Sequence, residues 1–215
     1  MGDALALAVG VAISPIPIVA MLLILGGVRA PVNGPLFALG WIVGVAGSAT
    51  LFLVLVSAVG IVDGQQTWLG IAEMALGVAF LVLAARLMAS PTRSQSDPPR
   101  WLRAVDAYGP ARAAALGVAL SAANPKNLAL ALGGALALAR AGVTGAEAVP
   151  ALAAYTAIAA PGVLLPLAAY EAFPAQSRHT LERLRRFVIR HDRTVLLVLA
   201  LAIGAKLLLD GIRAL

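Results

Sequence analysis

The sequence predicts an all-α integral membrane protein with six transmembrane helices, arranged as two inverted three-helix repeats. Three observations support this fold class. The 215-residue chain is 61% hydrophobic and 12% charged, whereas soluble domains are about half apolar and about a quarter charged. Several apolar stretches reach the length of about 20 residues that a membrane-spanning helix needs. A five-residue sequence also recurs half a chain length later.

Charged residues delimit the predicted spans. No charge occurs between Asp3 and Arg29, between Arg29 and Asp63, or between Glu147 and Glu171. Three further apolar stretches contain Glu73, Lys126 and Lys206. The predicted helices cover residues 4–27, 36–61, 68–88, 113–139, 148–170 and 194–213. The first stretch lacks a basic n-region and is too long for the apolar core of a signal peptide, so we expect it to be retained as a helix.

The distribution of arginine predicts the orientation of the chain. Twelve of the 16 basic residues lie in the odd-numbered loops, which share one side of the membrane in a six-helix protein. Because basic loops remain cytoplasmic, we expect loops 3 and 5 in the cytoplasm and both termini outside. Topology thus explains the net charge of +6 without nucleic-acid binding. These basic residues are Arg29, Arg86, Arg93, Arg100, Arg103, Arg112, Arg178, Arg183, Arg185, Arg186, Arg190 and Arg193.

Two basic segments, 98–108 and 178–189, have an apolar stripe at helical spacing. We interpret both as helices that lie on the cytoplasmic leaflet and are anchored by anionic headgroups. The alternative is that they gather an anionic lipid substrate. The predicted organisation is one membrane domain over 1–215, with repeat one at 1–90, an interfacial linker at 91–111 and repeat two at 112–215.

The repeat is carried by the sequence Gly10-Val11-Ala12-Ile13-Ser14, which returns as Gly117-Val118-Ala119-Leu120-Ser121. The offset of 107 residues is half the chain. Repeats with an odd number of helices must be inverted in the membrane, as in many secondary transporters. The alternative is a chance match in a chain rich in alanine and valine.

Both copies lead into sequences that disrupt a helix. The first is Ser14-Pro15-Ile16-Pro17, and the second is Ser121-Ala122-Ala123-Asn124-Pro125-Lys126-Asn127. Proline removes a backbone donor and clashes with the preceding turn, so we expect breaks in the first and fourth helices. Pro161 predicts a kink in the fifth. Transporters often bind substrate at discontinuous helices near the bilayer midplane.

Lys126 is the charged residue placed most deeply in a predicted span. It lies 14 residues from both Arg112 and Arg140, which is about 20 Å of helix on either side. A lysine at the bilayer centre costs about 2.5–3.5 kcal/mol on insertion scales. We interpret Lys126 as a group that faces the bundle interior and binds an anionic substrate or a proton. The alternative is a structural lysine that is satisfied by the carbonyl groups of the broken first helix.

The candidate substrate-binding residues cluster around these two breaks. They are Ser14, Pro15, Pro17, Ser121, Asn124, Pro125, Lys126 and Asn127, with Glu73 and Lys206 as secondary candidates. No catalytic pair, metal site or ATPase motif is visible, cysteine is absent, and the two histidines are isolated in a basic loop. We therefore predict a protein that is not an enzyme and has no cofactor, driven by a gradient or a partner.

The motifs resemble those of the GAP family of glycopeptidolipid-addressing and sulfolipid-addressing proteins, within the lysine-exporter (LysE) superfamily. The matching elements are Ser14-Pro15-Ile16-Pro17-Ile18, Gly34-Pro35, Gly40-Trp41, Trp101, Asp106, Leu120-Ser121-Ala122 and Asn124-Pro125-Lys126-Asn127. The resemblance implies a bacterial inner-membrane protein that helps move cell-envelope glycolipids toward the surface. It also singles out the prolines and the Asn-Pro-Lys-Asn element as site residues.

We therefore expect a transporter or flippase for an anionic amphipathic substrate. The alternatives are a LysE-type exporter of a small amino acid or ion, and an accessory subunit of a larger lipid-export machinery. The expected partners are membrane lipids, the substrate and a second copy of the chain. The homo-oligomer is predicted from small-residue surfaces at Gly40 and Gly44 and at Gly133-Gly134, which favour close helix contacts either between chains or within one.

Overall fold

The structure is a computed structural model that describes residues 1–58, 66–89 and 108–213. Within these ranges every regular element is helical, as predicted. The helices are α1 (Gly2–Ala12), α2 (Pro15–Gly26), α3 (Ala30–Ala58), α4 (Gln66–Ala89), α5 (Pro110–Ala122), α6 (Pro125–Arg140), α7 (Ala148–Ala159), α8 (Pro161–Ala172) and α9 (Pro174–Arg213). Trp41, Phe37 and Tyr155 are among the largest fully buried side chains of the core.

Three of the predicted spans are each divided by proline into two half-helices, at the places where the sequence predicts a disruption. We call each such pair of half-helices a passage. The axes of α1 and α2 differ by 46°, and those of α7 and α8 by 59°. A third break separates α5 from α6. Pro15, Pro125 and Pro161 each occupy the first position of a new helix, where the missing N–H costs no intrahelical hydrogen bond. The predicted breaks and the predicted kink are therefore confirmed.

The described helices are those of a membrane protein. Individually, α3 and the Gly70–Ala89 part of α4 are long and apolar enough to cross a bilayer. Counting each of the bent pairs α1–α2 and α7–α8 as one span raises the number of candidates to four. The pair α5–α6 and the helix α9 also occupy predicted spans, but they carry Lys126, Lys206 and flanking arginines.

The last helix differs from its predicted form. The sequence predicts a separate interfacial helix at 178–189 followed by a span at 194–213, whereas α9 is continuous from Pro174 to Arg213. No proline or glycine occurs between Pro174 and Gly204 to end the helix. The other predicted interfacial segment lies mostly outside the described residues, as do Trp101 and Asp106. Helix α3 also begins earlier than predicted, at Ala30.

Glycines allow α3 and α5 to touch through their backbones. A Cβ atom at Gly40 would overlap the carbonyl oxygen of Ala114, and one at Gly44 would overlap the hydroxyl of Ser121. On the facing helix, a Cβ atom at Gly117 would overlap the backbone of α3. The glycine pair therefore makes contacts within one chain, and the homo-oligomer stays a prediction.

We expect Gly40→Ala to lower the free energy of unfolding by about 1–3 kcal/mol, because the backbone of α5 has to shift to admit the methyl group. Gly47→Ala is the matched control, since Gly47 lies on the same helix and a Cβ atom there has no neighbour within 4 Å. Thermal unfolding of the purified variants in detergent measures both effects. Equal stability of the two variants would contradict this packing.

The bundle has two polar ends. At the first end, the starts of α1 and α4 meet the ends of α6 and α9 through ion pairs. At the opposite, second end, Asn33 Nδ2 donates to the carbonyl of Tyr108 over 2.8 Å. The Arg193 guanidinium also donates there to the carbonyl of Leu87, near the end of α4. Between these ends lie the breaks of α1–α2 and α5–α6, and these breaks position the candidate site.

Candidate functional site

Lys126 reaches from the start of α6 to the break in the first passage. Its ammonium donates to the backbone carbonyl of Gly10 over 2.8 Å and to the hydroxyl of Ser14 over 2.8 Å. Lys126 itself is half-buried. The contact with a carbonyl of the broken first helix is the one that the structural alternative for Lys126 expects, and anion binding by Lys126 stays a prediction.

Ser14 and Asn127 extend this contact into a network. The Ser14 hydroxyl accepts from Lys126 and donates to Asn127 Oδ1 over 2.9 Å. The amide nitrogen of Asn127 in turn donates to the carbonyl of Leu120 over 3.1 Å. Ser14 and Asn127 are both almost fully buried. The network thus joins the ends of α1 and α5 to the starts of α2 and α6.

The two carbonyls that accept these bonds occupy equivalent positions. Gly10 lies four residues before Ser14, which caps α2, and Leu120 lies four residues before Asn124, which caps α6. Helix breaks leave such carbonyls without their usual backbone donors. Both donors come from Lys126 and Asn127, which follow Asn124 by two and three residues. The residues at the same distances after Ser14 are Ile16 and Pro17, whose side chains cannot donate a hydrogen bond. One pair of side chains therefore supplies a donor to one carbonyl at each break.

The remaining predicted residues at the breaks shape the backbone. The side chain of Asn124 caps α6 by accepting from the backbone N–H of Lys126 over 3.1 Å. Pro15 and Pro17 are buried in the first turn of α2, whereas Pro125 is exposed. These residues fix where each half-helix starts and so where its N–H groups point.

Ser121 does not join the network, although the sequence pairs it with Ser14. Its hydroxyl donates within α5, to the carbonyl oxygens of Gly117 at 2.9 Å and Val118 at 3.0 Å. The side chain also fills the space opposite Gly44 on α3. Ser121 is thus a packing residue of the α3–α5 contact in this structure.

The site is electropositive. Among the described residues no carboxylate forms an ion pair with Lys126. The N-terminal ends of α2 and α6 meet at the same place, through Ser14 and Asn127. A helix N-terminus attracts anions through its dipole. Here the dipole adds mainly to the charge of Lys126, because the prolines in both first turns have no N–H group. The arrangement can therefore hold a carboxylate, sulfate or phosphate group.

A third break also reaches this region. Gly162, in the first turn of α8, lies against the carbonyl of Ala12 so closely that a Cβ atom would overlap it. Sequence analysis missed Gly162 and did not single out the carbonyl of Gly10. The signal for Gly162 was its position directly after Pro161, the residue at the predicted kink.

The secondary candidates lie elsewhere, in an ion-pair cluster at the first end. Glu73 Oε2 lies 2.8 Å from Arg140 Nη2, without the geometry of a normal hydrogen bond. Lys206 Nζ lies 2.7 Å from Asp3 Oδ1 and 2.5 Å from Asp210 Oδ2. The partner of Glu73 is therefore Arg140, and sequence reasoning missed both Arg140 and Asp3 as partners because these contacts are long-range. Within the described ranges no three His, Asp or Glu side chains lie close enough to hold a metal ion.

Comparison with known proteins places these features in a family. No curated protein and no solved structure was found to match the chain. A family model described as Sap, sulfolipid-1-addressing protein, matches residues 4–213, which include Ser14, Lys126 and Asn127. Because this match spans nearly the whole sequence, the chain belongs to the sulfolipid-1-addressing protein family.

Proposed function

We propose that this protein is an inner-membrane transporter or flippase that moves cell-envelope glycolipids, or their lipid-linked precursors, toward the surface. The anionic group of the substrate binds at Lys126. One observation carries the proposal: a lysine ammonium and two helix N-termini converge between the ends of the bundle, with no carboxylate beside the lysine in the described part of the chain. The family description, sulfolipid-1-addressing protein, is compatible with a sulfated lipid as the substrate.

The chemistry of the site suits a bound anion. An ammonium carries three N–H donors, and the Lys126 ammonium donates two of them to neutral oxygens. Neutral acceptors stabilise a desolvated cation less than an anion does. A sulfate, phosphate or carboxylate would therefore compete well for Lys126, and the amide of Asn127 and the hydroxyl of Ser14 would bind its remaining oxygens.

Six spans follow if each broken pair crosses the membrane as one unit. The passage α1–α2 begins at the first end with Asp3, and α3 begins at the second end with Asn33. Helix α4 carries Glu73 at the first end and reaches Leu87 at the second. The passages α5–α6 and α7–α8, and then helix α9, continue this alternation. We propose that the second end, which is rich in arginine, faces the cytoplasm.

The order of helix contacts supports two inverted repeats. Helix α1 packs on α7, as its counterpart α5 packs on α3. Helix α2 packs on α8 and α9, as its counterpart α6 packs on α3 and α4. Two contacts break the pattern in the described ranges. Helix α2 packs on α3 without an equally extensive contact between α6 and α7 or α8, and α8 packs on α9 without one between α3 and α4. The exchange of partners is what a pseudo-two-fold axis in the membrane plane produces.

A second candidate is a LysE-type exporter of a small amino acid or ion. The compactness of the network favours it, because the three polar side chains of Ser14, Lys126 and Asn127 are about as many as one carboxylate group can bond to. A third arrangement, in which the chain is an accessory subunit of a lipid-export complex, would use the same contacts to hold the bundle together.

Comparison of surface-extractable with whole-cell glycolipids in a deletion strain tests the proposal. We expect one anionic glycolipid to disappear from the surface while its total pool persists, and wild-type protein to restore it. Unchanged pools would contradict lipid transport, and small-solute efflux would then be the leading candidate. The accessory role predicts a different pair of results. Wild-type protein would restore the surface glycolipid in cells, but the purified protein alone would not transport an anionic glycolipid in vesicles.

A further inference from the structure

Tyr155 is a buried tyrosine without a hydrogen-bond partner for its hydroxyl. The residue lies on α7 and is 1% exposed. Its hydroxyl oxygen makes no hydrogen bond in the part of the chain that the structure describes. Its ring packs against Gly134 on α6, where a Cβ atom would lie 2.7 Å from Cε2 and 3.4 Å from Cζ. The Cδ2–Cε2 side of the ring therefore lies against α6 at the level of Gly134.

Its contact with α6 places Tyr155 between the two charged sites. Gly134 follows Lys126 by eight residues and precedes Arg140 by six, which correspond to about 12 Å and about 9 Å along the helix axis. The anion-binding network lies on one side of this level, and the Glu73–Arg140 ion pair at the first end lies on the other. A group that moves from Lys126 to the first end along α6 passes Tyr155.

The buried hydroxyl works against stability in this arrangement. A buried polar group without a partner loses its hydrogen bonds to water and gains none in return. Phenylalanine would fill the same space, and the packing against Gly134 uses only ring atoms. Packing alone therefore gives no reason for the hydroxyl, whereas a polar ligand that reaches this level would supply the missing partner.

We propose that the Tyr155 hydroxyl is a second binding contact for the polar headgroup of the substrate, between Lys126 and the first end. The hydroxyl donates to a sulfate, phosphate or carboxylate oxygen, or bonds to a sugar hydroxyl, as the headgroup leaves Lys126. In the structure this part of the route is closed by the packing of Tyr155 on Gly134 and by the Glu73–Arg140 pair. The inference rests on the function proposed above.

Tyr155→Phe tests the proposal, because it removes the hydroxyl and keeps the ring. We expect a roughly fivefold lower rate of glycolipid appearance at the surface, as the loss of one hydrogen bond implies. Thermal stability in detergent should stay unchanged or rise. Tyr170→Phe is the matched control, since it removes a hydroxyl from the half-buried Tyr170 of α8, and it should behave as wild type.

Parallel measurement of Lys126→Ala separates the two proposals. Wild-type transport by Tyr155→Phe together with loss of transport by Lys126→Ala would overturn the role of Tyr155 and leave the proposed function standing. Unchanged glycolipid pools in the deletion strain would overturn both. A Tyr155→Phe protein that is clearly less stable than wild type would also overturn the inference, because the hydroxyl would then have a structural partner.

Discussion

Lys126→Ala should reduce glycolipid transport by roughly 10- to 100-fold while the protein still folds, since hydrogen bonds to charged groups contribute about 1.5–3 kcal/mol. The substitution removes the cation that would hold the anionic group between the two helix N-termini. Folding should survive because Lys126 is half-buried and its two acceptors are neutral. The loss should appear as less surface-extractable glycolipid at an equal level of membrane-inserted protein.

Three further variants assign this loss to the charge of Lys126. Lys126→Arg keeps a cation and should retain part of the transport. Lys126→Gln can still donate to the carbonyl of Gly10 but carries no charge, so it should lose glycolipid transport to the same extent as Lys126→Ala. Arg213→Ala, which removes a cation whose side chain is 77% exposed, should leave transport unchanged. Full transport by Lys126→Gln would show that this residue caps the broken helix and binds no anion.

The local part of the architecture could be predicted from the sequence. Proline acts on its own turn of helix, so the break after α1 and the break before α6 follow from Pro15 and Pro125 alone. Lys126 is distinctive for an equally local reason, since a cation far from both ends of a span is costly. These two arguments single out Ser14, Lys126 and Asn127 as candidates, and in the structure the three side chains are in contact.

The long-range part could not be predicted in the same way. The partner of Glu73 is Arg140, which is 67 residues away in the sequence, and no local pattern points to it. In the sequence, Tyr155 does not differ from the apolar residues around it in its helix. Only the structure shows that its hydroxyl is buried without a hydrogen bond. Ser121 and Ser14 occupy matching places in the repeated pentapeptide, yet only Ser14 stands at a break, because α5 continues past Ser121 to Ala122.

The ion pair between Glu73 and Arg140 should make the largest single contribution to stability at the first end. We expect Arg140→Ala to lower the free energy of unfolding in detergent by about 3 kcal/mol, because breaking a buried pair leaves one charge uncompensated. The carboxylate that remains is only 4% exposed, whereas Arg140 is 29% exposed. Water can therefore replace the arginine only in part.

A double-mutant cycle with Glu73→Gln tests this interpretation. The neutral amide introduced by this substitution does not need a cation, so adding Glu73→Gln to Arg140→Ala should recover much of the lost stability. Exposed Arg213 is the control, and Arg213→Ala should change stability by no more than about 0.5 kcal/mol. Strictly additive effects of the two substitutions would mean that the pair contributes nothing. Non-additivity would mean that the charge pair holds the end of α6, in the second half of the chain, against α4 in the first half.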